Sequence, residues 1–205
     1  MNLCVIADLH GTTTYISRLQ SVSYDLLVIC GDITHFGHAG RARSILSTFP
    51  APYLAVHGNC DYEDVVDVLE EEGCNLHEKT VRRNNETLCG LGGANYFRGK
   101  TPSEVTEQEI YDALSHVEGG SILVTHVPPH NTAVDRAFRI KHAGSTALRQ
   151  VVEEKHPALL LCGHIHEGRG HDVIGDTLVV NPGEFSRGYY ALVSTEDRTL
   201  KMCRF

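Results

Sequence analysis

Five polar clusters carry side chains that could do chemistry, and each directly follows an apolar run. They are Asp8-Leu9-His10, Gly31-Asp32, Gly58-Asn59-Cys60-Asp61, Thr125-His126 and Gly163-His164-Ile165-His166. Asp8, Asp32, Asn59, His10, His126, His164 and His166 together offer two carboxylates, one amide oxygen and four imidazoles. That mixture of oxygen and nitrogen donors suits Mn, Fe, Co, Ni or Zn better than Ca. Seven ligands are too many for one ion, but they suit two divalent transition-metal ions sharing a carboxylate. Asp8 and His10 stand two apart, as do His164 and His166. At a strand end a period of two points both members of a pair the same way. The chain holds 13 histidines against two methionines and no tryptophan. Position decides what such a surplus means: His35, His38, His77, His116, His156 and His171 read as surface or loop residues, and His57 as a residue packed beneath the Gly-Asn turn.

The elements that must position these clusters alternate between strand and helix. Leu3 to Ala7, Leu26 to Cys30, Tyr53 to Val56, Ile122 to Thr125 and Leu159 to Cys162 read as strands. Helices are expected over Tyr15 to Val22, Ala39 to Phe49, Tyr62 to Glu72 with Gly73 as its stop, Ser103 to Val117, and Thr146 to Lys155. A capping box is expected from Ser103 to Thr106-Glu107. Leu76 to Tyr96 carries turn signals at Asn84-Asn85 and Gly92-Gly93 between short strand-like pieces. The tail, from His171 to Phe205, reads as antiparallel strands. Strand-helix alternation implies a parallel sheet, with ligand sites gathered at the carboxyl ends of its strands. Residues 1–205 read as one α/β domain, a mixed-sheet sandwich with helices outside.

In this order, D-x-H, G-D, G-N-x-D, H and G-H-x-H, the clusters resemble the calcineurin-like metallophosphoesterase superfamily, and Cys60 resembles its small bacterial and archaeal phosphodiesterase branch. The motifs run from Asp8 to His166. The resemblance implies a four-layer α/β/β/α sandwich of two mixed sheets flanked by helices. It also implies that Asp8, His10 and His166 bind a first metal, that Asn59, His126 and His164 bind a second, and that Asp32 bridges them. Asp32, Asn59 and His126 are the expected catalytic residues, and manganese the expected metal. The implied reaction is hydrolysis of a phosphodiester, or less favoured a monoester, by a hydroxide held between the ions.

Two carboxylates and two divalent ions leave a local charge of about +2, which attracts an anionic ester. The pKa of a bound water falls from about 15.7 toward about 7 at the most activating sites. Many superfamily members carry histidine where Cys60 stands, and a thiol is a weak donor. Leaving-group protonation then falls to another acid, with His35, His57, His130 and His142 as candidates. Asp61 and Glu167 flank ligands and are expected to orient them. The segment from His126 to Ser145 follows a ligand and begins with Pro128-Pro129, so it should start as a loop lining the substrate pocket. Asn59, Cys60, Arg136, Arg139 and His142 are the expected substrate-binding residues.

The formal net charge of −8 argues against a duplex nucleic-acid partner and against the long basic groove of a nuclease. A small phosphate ester is the expected partner, and a homo-oligomer is compatible with the sequence. Seven cysteines without a C-x-x-C motif read as free thiols in a reducing cytosol. The N-terminus lacks the basic start of a signal peptide and no run reaches membrane-spanning length, so a cytoplasmic location and no membrane partner are expected. The competing reading is a catalytically reduced scaffold on the same fold. Cys60 is its support, and the full ligand set stands against it.

Overall fold

The computed structural model describes residues 1–50, 52–96, 100–138 and 140–205. Arg139, expected at the substrate, lies outside the described residues. The strands of the two large sheets are β1 (Asn2–Ile6), β2 (Leu26–Cys30), β3 (Tyr53–Val56), β4 (Lys79–Arg83), β5 (Glu86–Leu91), β6 (Ile122–Thr125), β7 (Leu159–Leu161), β8 (Gly170–Ile174), β9 (Thr177–Asn181), β10 (Tyr189–Ser194) and β11 (Leu200–Arg204), and two-residue ladders join 94–95 to 104–105 and 136–137 to 141–142. The helices are α1 (Ala39–Leu46), α2 (Asp64–Glu71), α3 (Glu107–Leu114) and α4 (Thr146–Lys155). Ile16–Ser21, expected as a short helix, forms a 3-10 turn.

One sheet has the order β11-β10-β1-β2-β3, with β1, β2 and β3 parallel. The other has the order β8-β9-β7-β6-β5-β4, with β9, β7, β6 and β5 parallel and antiparallel strands at both edges. The tail strands therefore divide between the sheets. β9, expected in an antiparallel tail, pairs parallel with β7 and antiparallel with β8.

Three apolar cores separate four layers. Leu3, Val5, Val28 and Val56 of the first sheet meet Leu88, Val124, Leu161 and Val180 of the second. Alternate residues of the first sheet, Cys4, Ile6, Leu27 and Ile29, face Ile45 of α1 and Leu69 of α2. On the far side, Leu123, Leu160 and Val179 face Ile110 of α3 and Val151 of α4. The architecture is the expected α/β/β/α sandwich. Strands covered on both faces must be apolar at every position, and β2 is buried along its whole length.

Local signals explain most element ends. Gly73, just beyond α2, adopts φ +65°, a left-handed stop. The capping box of α3 is formed by Thr106 and Glu109, not from Ser103. Ser103 instead donates its hydroxyl to the Asp61 carbonyl at 2.6 Å, so the helix starts later than expected. α1 ends at Leu46, short of Phe49. Among the described residues no helix is long and apolar enough to cross a membrane.

Candidate metal centre

The five polar clusters leave the carboxyl ends of β1, β2, β3, β6 and β7, and the chain does not leave those strands in extended form. Asp8, His10, Asp32 and His164 have φ of 56°, 46°, 48° and 67°. Left-handed backbone is uncommon outside glycine and costs of order 1–3 kcal/mol per residue. β1 ends at Ile6, so strand alternation does not align Asp8 with His10, as the spacing suggested. Hydrogen bonds to the neighbouring loop do: Asp8 N to Gly31 O at 3.1 Å, His10 N to Asp32 O at 2.9 Å and Gly11 N to Ile33 O at 3.0 Å. His164 and His166 likewise lie past the end of β7, and His166 opens a 3-10 turn.

All seven side chains meet. Ligand atoms of Asp8, His10 and His166 lie within 4.8 Å of one another, as do those of Asp8, Asp32 and His126. His10 Nε2 and His166 Nε2 are 3.2 Å apart. His166 Nε2 is 3.6 Å from Asp8 Oδ1. Asp32 faces both halves of the group, with Oδ2 3.7 Å from His10 Nε2 and Oδ1 3.4 Å from His126 Nε2. Asn59 Oδ1 is 3.0 Å from His126 Nε2, and the His126 and His164 rings are 5.1 Å apart.

This donor set fits divalent cations. Adjacent ligands of an ion held at about 2.1 Å stand about 3 Å apart, and the facing imidazole nitrogens of His10 and His166 have that spacing. Asp8 and Asp32 are buried carboxylates pointing into one space, an arrangement that calls for positive charge. Metal binding requires neutral imidazole. Burial lowers the pKa of His10, and burial together with His126 takes that of His164 down to about 4. His126 differs: burial opposes its charged form, but Asp32 and Asp8 outweigh it and raise the pKa to about 9, so a cation bound between those carboxylates must displace the His126 proton. For Asp32 burial acts upward, and His126, His10 and the Cys60 N–H outweigh it, leaving the carboxyl well below its usual range.

The ligands are braced from behind. His126 Nδ1 donates to Cys30 O at 2.7 Å, which leaves Nε2 facing the centre. A Cβ on Gly31 would lie 2.4 Å from His126 Nδ1, and one on Gly58 would lie 2.0 Å from Asp32 Oδ1. Those two motif positions must be glycine because a ligand occupies the space. Asp61 braces backbone rather than a ligand side chain. It accepts from Ile33 N at 3.0 Å, Thr34 N at 2.7 Å and Gly58 N at 2.8 Å, so one buried carboxylate joins the loop of Asp32 to that of Asn59. Burial and the neighbouring Asp32 push its pKa up, against those donors.

Glu167, expected to orient a ligand, is exposed. The carboxylate that meets His166 is Glu184, whose Oε1 is 3.1 Å from Nδ1. The sequence reading missed Glu184. Its one local signal was a carboxylate after the Asn181-Pro182-Gly183 turn at the end of β9.

A cavity of about 370 Å³ opens beside Asn59 and His164, walled by Ala94, Ala137, Phe138 and Ala143 with Lys141. Segment 126–145 thus contributes Ala137, Phe138, Lys141 and Ala143 to a cavity at the centre. In its two-residue ladder Lys141 pairs with Ala137 and His142 with Arg136. Neighbouring ladder positions face opposite ways, so Arg136 and His142 are not among the lining residues. His142 Nδ1 instead meets the buried Asp135 Oδ1 at 2.6 Å. His130 lies against His142. His57 is buried against His77, and burial takes its pKa down to about 3. Cys60 is buried beside Asp32, with its thiol pKa pushed up first by burial and then by Asp32. Of the four candidate acids, His35 is the one whose ring meets a ligand of the first group. Its ring centroid is 5.5 Å from that of His10, and its nitrogen joins those of His10 and the Cys60 sulfur within 4.8 Å.

A double-sheet sandwich that collects carboxylates, an amide and imidazoles at its strand ends is the framework of a metallophosphoesterase. The profile of the calcineurin-like phosphoesterase superfamily domain matches residues 1–198, and the chain belongs to that superfamily. An uncharacterized protein of Methanocaldococcus jannaschii is 38% identical over 199 residues, covering 93% of this chain and 91% of that one. A crystal structure from Thermus thermophilus matches with TM-score 0.78 at 17% identity, over 99% of this chain and 98% of that one. A structure described as a novel archaeal phosphodiesterase matches with TM-score 0.61 at 15% identity, over 100% of both chains.

Proposed function

We propose that this chain is a two-metal phosphoesterase acting on a small phosphate ester, with diesters preferred over monoesters. The observation that supports it most strongly is the convergence of Asp8, Asp32 and His126 within 4.8 Å, with Asp8 also joined to His10 and His166. In this reading Asp8, His10 and His166 would hold one cation, Asn59, His126 and His164 would hold the other, and Asp32 would be shared between them. Such cations, manganese foremost, supply a positive field for the phosphoryl oxygens and lower the pKa of water, the source of the nucleophile. The chain's own residues then fix geometry. Asp61 keeps the two ligand loops in register, Glu184 holds His166, and Cys30 O sets the His126 tautomer.

The diester preference rests on Cys60. A monoester dianion places more charge on its oxygens, and a buried thiol offers only a weak donor there. In this reading His35, beside His10 and Cys60, gives the leaving oxygen its proton, and the cavity walled by Ala94, Ala137 and Phe138 receives one ester substituent. All seven cysteines are free and six are buried, which suits a reducing compartment such as the cytoplasm.

The test is manganese-dependent cleavage of bis-p-nitrophenyl phosphate by wild type, Asp32→Asn and His126→Ala, with metal content measured on each. Wild type should bind about two equivalents and cleave the diester, and both variants should lose activity by about 100-fold or more. Equal rates in all three proteins would refute the reading. Absence of bound metal in wild type would instead favour a non-catalytic scaffold.

A further inference from the structure

A second cavity, of about 430 Å³, opens on the outer side of His166. His166 is the wall it shares with the metal centre, since Nε2 faces Asp8 and Nδ1 faces Glu184, a lining residue of the cavity. The His166 side chain is 36% exposed, so a molecule anchored at the centre can extend past its edge.

The cavity sets two arginines against two glutamates, within a chain of net charge −8. Arg169, Arg187 and Tyr189 line it. The Arg169 guanidinium lies 4.4 Å from the centre of the Tyr189 ring, and that of Arg204 lies 5.0 Å from it. Glu167 and Glu184 supply the opposing charge, and Glu184 is already engaged by Arg187 at 2.9 Å and by His166 at 3.1 Å.

Arg169 is held in place by its surroundings. A Cβ on Gly183 would come within 2.7 Å of Arg169 Cδ, so that glycine makes room for the arginine stem. Arg169 Nη2 donates to Cys203 O at 3.3 Å, and the ring of Tyr189 fixes the guanidinium plane. Its Nε is buried and has no hydrogen-bond partner among the described residues, a cost that a side chain kept only for packing would avoid. A stacked guanidinium keeps in-plane N–H groups for a planar or tetrahedral anion.

We propose that this cavity is a subsite for a second phosphate group on the same substrate, so that the preferred ester carries one phosphate at the metal centre and another beyond His166. The proposal rests on the phosphoesterase reading and specifies its substrate class. An apolar extension would gain little from these guanidiniums. The competing role, arginines that only tie the C-terminal strand to the loop after β9, needs no anion.

The test is calorimetric titration of manganese-loaded protein with adenosine 3′,5′-bisphosphate and with adenosine 5′-monophosphate. Wild type should bind the bisphosphate about tenfold more tightly or better. Arg169→Gln and Arg187→Gln should each bring the ratio near one. Arg169→Lys, which keeps the charge and the stem, should keep part of it. Arg82→Gln makes the same charge change on the exposed edge strand β4 and should leave the ratio intact. Equal affinities in wild type would overturn the subsite. So would a ratio that survives both glutamine substitutions in the pocket, or one that Arg82→Gln lowers as much as they do. Should wild type fail to cleave bis-p-nitrophenyl phosphate with any metal, the hydrolase reading falls, while the affinity ratio still reports on the cavity.

Discussion

The metal centre and segment 126–145 meet at one cavity, but they are built in opposite ways. At the centre the ligands lean on other parts of the chain: Asp8 and His10 on the loop after β2, Asp32 on Cys60 N, His126 on Cys30 O, His164 on the Asp8 carboxylate and His166 on Glu184. The segment is braced largely within itself, with Ala133 N to Asp172 Oδ2 at 2.7 Å and Ser145 Oγ to Glu107 Oε2 at 2.6 Å among its outside ties. Asp135 accepts from Asn131 N at 3.1 Å, Thr132 N at 2.9 Å and Gly144 N at 3.1 Å, besides meeting His142. Past that one carboxylate, Phe138 is 79% exposed and Ile140 87% exposed. The difference is physical. Positioning several ligands on cations tolerates errors of only a few tenths of an ångström, so bracing must come from several strands. A substrate wall works with fewer anchors and can vary at its tip.

The contrast breaks first at Gly58. Gly58→Ala drives a methyl into Asp32, so bound manganese should fall below one equivalent and diester cleavage by about 100-fold or more. Normal metal content in that variant would show that the centre is looser than its contacts imply. Asp61→Asn leaves buried N–H groups facing an amide. It should cost about 3 kcal/mol in denaturant unfolding and weaken manganese binding, because the two ligand loops part. A variant destabilised to that extent with unaltered metal affinity would separate the brace from the centre.

Smaller effects probe the same boundary. Glu184→Gln removes the charge behind His166 and should weaken manganese binding by about tenfold, read by metal titration. Asp135→Asn should cost about 2 kcal/mol in unfolding and raise KM for bis-p-nitrophenyl phosphate a few-fold, with kcat close to wild type. A loss of manganese binding matching that at Asp61 would erase the distinction between the regions. Asp135 also carries a pH signature. Burial pushes its pKa up, but His142 and the backbone donors outweigh it and hold it below the ordinary value. Its stabilisation is therefore complete above about pH 4 and fades as pH falls through the folded-state pKa, a loss that Asp135→Asn should lack. The smallest effect should come from Phe138→Ala, about a twofold rise in KM with stability unchanged, as expected of an exposed side chain.

Much of this was legible in the linear chain. Apolar runs such as Leu26–Cys30 and Ile122–Thr125 define their strands to the residue, because burial on both faces leaves room only for apolar side chains or a hydroxyl satisfied by backbone, as Thr125 is by Val127 O. The ligand types were equally plain, since oxygen and nitrogen donors are properties of single residues. The tail was less so: Thr177–Asn181 has the same apolar look whether its neighbour runs parallel or antiparallel.

By itself the sequence determined which donors are present, in what order, and that each follows a strand. Only the tertiary structure decided how they meet. His10 and His166 lie 156 residues apart along the chain, yet their ring nitrogens stand 3.2 Å apart, through left-handed turns that no local pattern at Asp8 or His10 announces. The same holds for Glu184 behind His166, for Asp61 joining two loops, and for Lys141 rather than His142 in the cavity wall. Each is fixed by contacts between segments distant along the chain or by which face of a ladder is covered, and neither is written in the residues on either side.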